Sequence, residues 1–384
     1  MKTSIQRLLS LDAFRGFTIA AMLLVNNPGD WNNLYPQLEH AAWSGWTFTD
    51  SIFPFFLFIG GISMYLSLGH RAAEGANKPR LLRQLGQRAA LIFLIGFALN
   101  FIPNFDFATV RIPGVLQRIA LCTLLAAPIV VYFSWRQQCV WILAILSTYS
   151  AVMLLVPVPD INGIVVSGAL EPGRDVGAWL DRILMDGHLW KKSKIWDPEG
   201  LLSTLPATCS ILFGVLTGNF LTQARPTAEK TVWMLLAGLT CLGLGEILDS
   251  LVMPINKSIW TSSFCVFMTG WALITFSFFY WLLDGNPSEQ LKQKMQTASL
   301  PLVMYGVNAL FLFTLSGLIA KMLGFIHITQ ASGESVSLQK ALFAPIKALP
   351  ISPVNASLLF AVLFNLCMFA IAYMMWKKRW FIKV

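Results

Sequence analysis

The amino-acid sequence predicts an all-α polytopic membrane protein, a bundle of about ten transmembrane helices with one large outer loop. Of its 384 residues, 56% are hydrophobic and only 12% are charged, and the mean hydropathy is +0.63. Soluble domains carry about 25% charged residues, so the composition indicates an integral membrane protein. Long runs without charge support this interpretation, because a spanning helix needs about 20 apolar residues.

The individual spans are predicted from these runs. The first, in "LDAFRGFTIAAMLLVNNPGDW", has a polar beginning, where Asp12 and Arg15 argue against a cleaved signal peptide. Seven more fall in segments without charged residues: 51–69, 119–135, 137–159, 200–224, 258–283, 298–320 and 348–376. Two further spans are less apolar: one follows Arg88, and the other begins at Thr231. Together these make ten spans.

Basic residues are concentrated on one side of this predicted bundle. If the N-terminus is cytoplasmic and the spans alternate, the cytoplasmic segments hold 17 of the 28 Lys and Arg residues, and the other side holds 14 of the 19 Asp and Glu residues. The positive-inside rule therefore predicts that both termini are cytoplasmic. The net charge of +9 is interpreted as a topology signal, and no nucleic-acid partner is predicted.

The longest loop, at about 159–199, is predicted to lie on the outer side. It is rich in Gly, Pro and Asp, but the segment "VGAWLDRILM" has apolar residues at helical spacing. Irregular loops of this length are uncommon unless they form a lid or a cap. Residues 1–384 are therefore interpreted as one transmembrane domain with a partly helical outer loop.

Several polar residues lie inside predicted spans, where they are costly unless they face a cavity or a partner. Asp12 and Arg15 have the spacing of an ion pair on a helix surface, and Arg15 alternatively faces a polar tunnel. Asn26 and Asn27 fit either a helix terminus that satisfies free carbonyl groups or amide donors at a reaction centre. Asn308 lies in a late span and needs a partner or a cavity.

Two arginines mark the ends of the third and fourth predicted spans. Arg88 lies at the cytoplasmic end of the third span. Arg118 lies in the fourth span and is followed by a long uncharged run. An arginine at the end of a span commonly extends its charge to the interface, but this explanation fits Arg118 poorly.

His40 lies between the Asn-Asn-Pro-Gly turn and the second span, and it is one of four histidines. A lone histidine near an interface is most often structural. Here Asp50 follows ten residues later, at a spacing that allows its carboxylate to hold one imidazole nitrogen and set the tautomer. Trp43 and Trp46 lie between them, where they would exclude water or stack on a sugar. The pattern fits acyl transfer with a histidine base, while the structural role stays open.

The sequence contains no Gly-rich phosphate loop, no paired-cysteine motif and no His-x-x-x-His spacing. All six cysteines lie in apolar runs, where they behave as small hydrophobic residues. No metal cofactor and no disulfide framework are predicted.

Seven segments together resemble a known family. In chain order they are "SLDAFRG", "VNNPG", "EHAAWSGWTFTDSIFPFFLFIGG", "VRIPGVLQR", "WDPEGLLSTLPA", "VMPINKSIWTSSF" and "MYGVNALFLF". From about residue 8 to the C-terminus, the chain resembles heparan-α-glucosaminide N-acetyltransferase and its bacterial relatives. The resemblance implies a transmembrane acyltransferase that takes acetyl from cytosolic acetyl-CoA and delivers it to a glucosamine amine on the far side.

The resemblance also implies a set of catalytic residues. The active-site histidine of the family falls on His40, its motif aspartate on Asp50, and the asparagine of its "VN" motif on Asn26. His40 then acts as the general base for the acceptor amine, or it accepts the acetyl group itself. Asn26 or Asn27 would stabilise the developing oxyanion.

Candidates for binding the two substrates complete this set. Arginine matches phosphate in bidentate geometry, so the coenzyme A phosphates are expected on Arg15, Arg88 and Arg118, with Asn27 as a further donor. The expected contacts to the acceptor sugar are Trp43, Trp46 and Asn308. The sequence departs from the animal enzyme in lacking its large N-terminal luminal region and in having Ser316 near the position of a late-span histidine.

The sequence therefore predicts an acetyl-CoA-dependent N-acetyltransferase of an amino sugar in the bacterial inner membrane. Two alternatives remain open: a transporter of amino sugars, and an O-acetyltransferase of envelope polysaccharide. The natural acceptor and the oligomeric state are also open, with a homodimer among the alternatives.

Overall fold

The computed structural model describes residues 8–329 and 333–382. Helices form most of it: α1 (Leu9–Asn26), α2 (Phe48–Met64), α3 (His70–Ala73), α4 (Lys78–Phe101), α5 (Val115–Tyr132), α6 (Trp135–Leu155), α7 (Val176–Met185), α8 (Thr204–Leu221), α9 (Thr227–Leu251), α10 (Ser262–Tyr280), α11 (Glu289–Ala298), α12 (Leu300–Val307), α13 (Ala309–Phe325), α14 (Leu338–Lys347) and α15 (Pro353–Lys377). Three basic residues that were counted as cytoplasmic, Lys2, Arg7 and Lys383, lie outside the described residues.

Strands occur only as two short antiparallel hairpins within the described ranges. In the first, β1 (Val158–Pro159) pairs with β2 (Val165–Val166). In the second, β3 (His327–Thr329) pairs with β4 (Ser335–Ser337). Both hairpins lie in connections between long helices, so the fold is all-α, as predicted.

Nine helical segments in the described part of the chain are long and apolar enough to cross a membrane. The pair α12 and α13 is also long and apolar enough when taken together, but it is bent by 79° at Asn308, so these residues hold nine spans, or ten if the bent pair counts as one. This arrangement confirms a polytopic bundle of about ten spans. The largest difference from the predicted boundaries is at α4, which begins at Lys78 instead of after Arg88, because Asn77 caps the helix by accepting the backbone N–H of Arg80 at 3.0 Å.

Helices in the centre of the bundle approach each other backbone to backbone at glycines. A Cβ on Gly61 of α2 would lie 2.0 Å from the carbonyl oxygen of Ile211 in α8. A Cβ on Gly214 of α8 would lie 2.0 Å from the carbonyl oxygen of Phe58. In a membrane, where lipid tails are as apolar as leucine, such close packing is a main source of attraction between helices.

Gly61→Ala is therefore expected to lower the free energy of unfolding by about 1–3 kcal/mol, because α8 must move away from α2. Thermal unfolding of the purified protein in detergent measures the effect. Gly60→Ala is the matched control, since a Cβ on Gly60 meets no atom within 4 Å. Equal loss of stability in the two variants would contradict a specific contact between the two backbones.

The alternation of the spans gives the bundle two ends. The end at which α1 finishes and α2 begins is called the His40 end, and the opposite end, where α1 begins, is called the Arg15 end. At the His40 end, the Gly45 N–H donates to the Ile255 carbonyl at 2.7 Å, and the Trp43 indole donates to the Leu170 carbonyl at 2.8 Å. These bonds join the loop after α1 to segments 156–203 and 252–261.

Segment 156–203 covers the His40 end and is called the cap. Its helix α7 coincides with the predicted amphipathic segment "VGAWLDRILM", and this prediction is confirmed. The buried face of α7 contains Val176, Ala178 and Met185, and Val176 packs with Tyr149 of α6. The apolar spacing in the sequence therefore predicted the helix correctly, but its buried face also contains Asp181, while Ile183 and Leu184 are exposed.

Candidate active site

His40 and Asp50 form a hydrogen-bonded pair at the His40 end. His40 Nδ1 lies 2.7 Å from Asp50 Oδ1. The His40 side chain is 50% exposed, whereas that of Asp50 is 1% exposed. A buried carboxylate therefore holds an imidazole that a solute can reach. Because Nδ1 donates to the carboxylate, Nε2 is the ring nitrogen that keeps a lone pair.

The local sequence explains why Asp50 has this position. Asp50 is the third residue of α2, and with Thr47 it forms a capping box at the start of the helix. Its Oδ2 accepts the backbone N–H groups of Thr47 and Ala41, both at 3.0 Å. A negative charge is also stabilised at a helix N-terminus. One carboxylate thus caps α2, closes the loop that carries His40 and orients the imidazole.

Lys257 is the residue of this site that the sequence interpretation missed. Its Nζ lies 3.0 Å from His40 Nδ1 and 3.2 Å from Nε2, and 3.7 Å from Asp50 Oδ1. Burial lowers the pKa of Lys257, while the charges of Asp50 and Glu199 oppose that change. A signal for Lys257 was available, because it is a lysine in a predicted outer loop of a chain whose basic residues gather on the other side.

A network of charged groups connects the cap to the segment before α5. Arg111 Nε donates to Asp197 at 2.8 Å, and Arg111 Nη2 donates to Asp197 and Glu199, each at 2.5 Å. Burial disfavours the charged form of Arg111, but the two carboxylates outweigh it and raise its pKa. Burial likewise acts to raise the pKa of Glu199, but Arg111, Arg118 and Lys257 lower it overall. Glu199 therefore places a negative charge near Lys257.

Asp181 of α7 is a buried acid within the cap, only 2% exposed. Its Oδ1 accepts the Leu201 N–H at 3.0 Å. Burial raises the pKa of Asp181 to about 7, although that hydrogen bond acts in the opposite direction. This carboxyl group therefore keeps its proton well above the pH at which an exposed aspartate ionises.

The structure does not bring Arg118 together with Arg15 and Arg88. Arg118 lies in the first turn of α5, at the His40 end, and is 1% exposed. Its Nη2 donates to the Gly200 carbonyl at 2.9 Å and to the Ser203 hydroxyl. Since alternating spans put the start of α5 and the start of α1 at opposite ends, the three predicted phosphate ligands do not form one group.

A cavity of about 530 Å³ lies within the bundle, and both Arg15 and Arg88 line it. Its lining runs from Arg15, in the second turn of α1, to Ile119, in the second turn of α5. Because α1 and α5 begin at opposite ends, the cavity extends through much of the bundle. Its volume falls within the ~300–1,000 Å³ range of small-molecule sites.

The polar part of this cavity lies at the Arg15 end. Arg15 Nη1 is 3.2 Å from Asp12 Oδ1, and Arg15 Nη2 donates to the Ser63 hydroxyl at 2.7 Å. The predicted ion pair and the predicted cavity are therefore both present. Two guanidinium groups suit phosphate, and the many apolar side chains beyond them suit an uncharged chain. These residues fit coenzyme A in chemical character.

Asn26 and Asn27 end α1 at the His40 end. The Asn27 side chain is 8% exposed and donates to the Leu23 carbonyl at 2.8 Å. Asn27 therefore satisfies a free carbonyl of the helix terminus, which is the structural alternative. Asn26 is exposed, and no hydrogen bond joins it to His40 within residues 8–329 and 333–382.

Asn308 lies at the bend between α12 and α13, 2% exposed. Its Nδ2 donates to the Trp380 carbonyl at 3.0 Å, and its Oδ1 accepts the Ile382 N–H at 2.9 Å. Phe381 and Ile382 line the cavity. Asn308 thus holds the segment after α15 against the cavity, rather than lying beside His40.

The two predicted tryptophans lie close to His40 in the chain but in different environments. Trp43 is partly buried, and its ring contacts that of Trp196 in the cap, with centroids 5.0 Å apart. Trp46 is 37% exposed and packs against Phe267 and Trp271 of α10. Trp43 therefore anchors the cap, while Trp46 presents an aromatic face at the surface.

Comparison with known proteins links this site to a family. The family model described as heparan-alpha-glucosaminide N-acetyltransferase, catalytic, matches residues 7–175, a range that includes His40 and Asp50. The human heparan-alpha-glucosaminide N-acetyltransferase is 28% identical over 332 residues, which are 72% of this chain and 49% of the human protein. The mouse protein of the same name is 28% identical over 338 residues, 74% of this chain and 50% of the mouse protein.

The chain thus spans about half the length of the curated relatives that it matches. The family match covers the first five spans and the beginning of the cap, and the similarity to the two mammalian proteins covers most of this chain. The chain is therefore similar to heparan-alpha-glucosaminide N-acetyltransferases, and its residues 7–175 match the catalytic model of that family.

Proposed function

We propose that this protein is a transmembrane N-acetyltransferase that moves acetyl from cytosolic acetyl-CoA to the amine of a glucosamine-type sugar on the opposite side of the bacterial inner membrane. One observation carries the proposal. An oriented imidazole lies at the His40 end, and a cavity with two arginines extends toward it from the Arg15 end. If the acetyl donor and the acceptor amine lie on opposite sides of the membrane, transfer needs a base at one end of the bundle and a donor cavity that reaches toward it from the other end.

The Arg15 end faces the cytoplasm in this proposal, as the positive-inside rule predicts. Arg15 and Arg88 bind the phosphates of acetyl-CoA, and Asp12 keeps the Arg15 guanidinium in place. Arg118 has no part in donor binding, because Gly200 and Ser203 hold its guanidinium at the other end. The pantetheine arm follows the cavity toward Ile119 and brings the thioester to the His40 end.

His40 removes the proton from the acceptor amine. The amine nitrogen attacks the acetyl carbonyl carbon, the carbon–sulfur bond breaks, and the proton taken by Nε2 passes to the leaving thiolate to give free coenzyme A. Asp50 keeps the other imidazole proton on Nδ1 throughout. Asn26, the exposed last residue of α1, donates to the carbonyl oxygen as its negative charge develops.

The acceptor sugar binds at the His40 end, between the loop after α1 and the cap. Trp46 offers an exposed aromatic face for a sugar ring. Trp43 contributes indirectly, because its contacts with Leu170 and Trp196 hold the cap in position. The mammalian relatives are named for heparan glucosaminide; the acceptor of this chain is proposed only as a glucosamine-type amine.

The test uses purified protein in proteoliposomes with isotope-labelled acetyl-CoA on one side and a panel of amino sugars on the other. Mass spectrometry should detect an N-acetylated sugar and an equal amount of free coenzyme A. Product is expected only when acetyl-CoA is supplied on the side of the Arg15 end. A labelled ester would indicate an O-acetyltransferase, and movement of unmodified sugar without thioester consumption would indicate a transporter.

A further inference from the structure

Lys257 has an unusual position relative to the His40 ring. Its Nζ is almost equally far from the two ring nitrogens, at 3.0 and 3.2 Å. If Nζ lay in the plane of the ring at these two distances, it would collide with Cε1, the carbon between the two nitrogens. The Lys257 nitrogen therefore lies over the imidazole face, and it leaves the in-plane lone pair of Nε2 accessible.

The loop that carries Lys257 is firmly held. Asp249 Oδ1 accepts the Ile255 N–H at 2.5 Å. Asn256 is 0% exposed, and its Oδ1 accepts the Ile259 N–H at 3.2 Å. The Lys257 side chain is 20% exposed. The lysine is therefore placed over His40 by a buried turn between α9 and α10 rather than by chance contact of a mobile surface chain.

Several charges act on this pair from the surrounding elements. Asp50 of α2 contacts both His40 and Lys257. Glu199 of the cap attracts Lys257, and Arg118 of α5 repels it. A cation over the ring disfavours a second proton on the imidazole, because both would be positive. Asp50 alone would favour the doubly protonated imidazolium, so the two neighbours of His40 act in opposite directions.

We propose that Lys257 is a positioning residue for His40, which keeps the imidazole singly protonated so that Nε2 remains a proton acceptor. Asp50 fixes the proton on Nδ1, and Lys257 prevents Asp50 from stabilising a second proton on Nε2. The same positive charge also disfavours the ammonium form of an acceptor amine and so favours the reactive free amine. This last effect rests on the proposed acetyl transfer, whereas the effect on His40 does not.

The first test measures the protonation of His40 without substrate. In protein with isotope-labelled histidine, NMR titration follows four histidines, and the His40→Gln variant identifies the signal of His40. In Lys257→Met, the pH at which His40 is half protonated should rise by about one unit, the scale expected for a full charge at ~3 Å even with strong screening. Lys257→Arg should restore the wild-type titration, and Lys257→Gln should repeat the shift if Lys257→Met folds poorly.

Lys192→Met is the matched control. It removes a lysine from the same end, where Lys192 contacts Trp31 and Trp190 instead of His40. An unchanged His40 titration in both Lys257→Met and Lys257→Gln would overturn the proposal. A shift equal to that in Lys192→Met would also overturn it, because a general change of surface charge would then explain the effect.

The second test follows the acid limb of the pH dependence of kcat/KM for acetyl transfer. In Lys257→Met, the acid limb of kcat/KM should move to higher pH by the same amount as the His40 titration measured by NMR. At pH values well above this limb, the rate of acetyl transfer should stay within a few-fold of wild type. A shifted titration in a protein that transfers no acetyl would support the inference about Lys257 and contradict the proposed function. A shifted titration with an unmoved acid limb would overturn the role of Lys257 in transfer.

Discussion

His40→Ala is expected to lower the rate of acetyl transfer by about 10²–10⁴-fold, the effect of losing a general base. The Nε2 lone pair of His40 can take a proton from the amine of the acceptor sugar, since Asp50 is bonded to Nδ1. The His40 side chain is 50% exposed, so its removal leaves no large cavity and should change the melting temperature little. Initial rates with saturating acetyl-CoA measure the loss of activity.

The matched control is His327→Ala, which removes an exposed histidine whose Nδ1 contacts the Phe325 carbonyl. It should retain near wild-type activity. Asp50→Asn should lie between the two, because the imidazole remains but its tautomer is no longer fixed. A His40→Ala protein that transfers acetyl at near wild-type rate per folded molecule would contradict the catalytic assignment and favour the transporter alternative.

Arg15→Ala and Arg88→Ala are each expected to weaken coenzyme A binding by about 1.5–3 kcal/mol, the scale of a hydrogen bond to a charged group. The corresponding rise in Kd is roughly 10- to 150-fold. Both guanidinium groups line the cavity at its polar end. Titration calorimetry with coenzyme A measures Kd directly, without dependence on the acceptor sugar.

Lysine at either position should restore only part of the affinity, because an ammonium group binds phosphate as a point charge rather than as a bidentate donor. Arg83→Ala is the matched control for Arg88→Ala. It removes an exposed arginine from α4, the helix that carries Arg88, and Arg83 does not line the cavity. Arg118→Ala should destabilise the His40 end through the loss of its contacts with Gly200 and Ser203, while coenzyme A binding stays intact. Unchanged affinity in both Arg15→Ala and Arg88→Ala would remove this phosphate site.

The spans could be predicted from the sequence because each charged residue in a hydrocarbon environment carries a large free-energy cost. That cost acts residue by residue, so charge-free runs indicated the helices found in the described ranges. The bend at Asn308 was not predicted. At the bend, the Asn308 side chain bonds to the backbone carbonyl of Trp380 and the backbone N–H of Ile382. Those partners lie more than 70 residues away in the sequence.

The His40–Asp50 pair was also accessible from the sequence, because both residues belong to one continuous segment. Asp50 is held by a local capping box at the start of α2, and a turn of ten residues returns His40 to it. The family resemblance then assigned roles that residue types alone left open. Local chain geometry therefore suffices for this part of the site.

The sequence by itself determined which segments form helices long and apolar enough to cross a membrane, that the outer loop contains a helix, and that Asp50 lies within reach of His40. Only the tertiary structure decided that Lys257, 217 residues from His40, lies over its ring, and that Arg118 faces Gly200 instead of the cavity. The physical reason is that hydrophobicity and capping act locally along the chain. The face that each helix turns toward its neighbours is set by close packing between elements distant in sequence, such as the glycine contacts of α2 with α8.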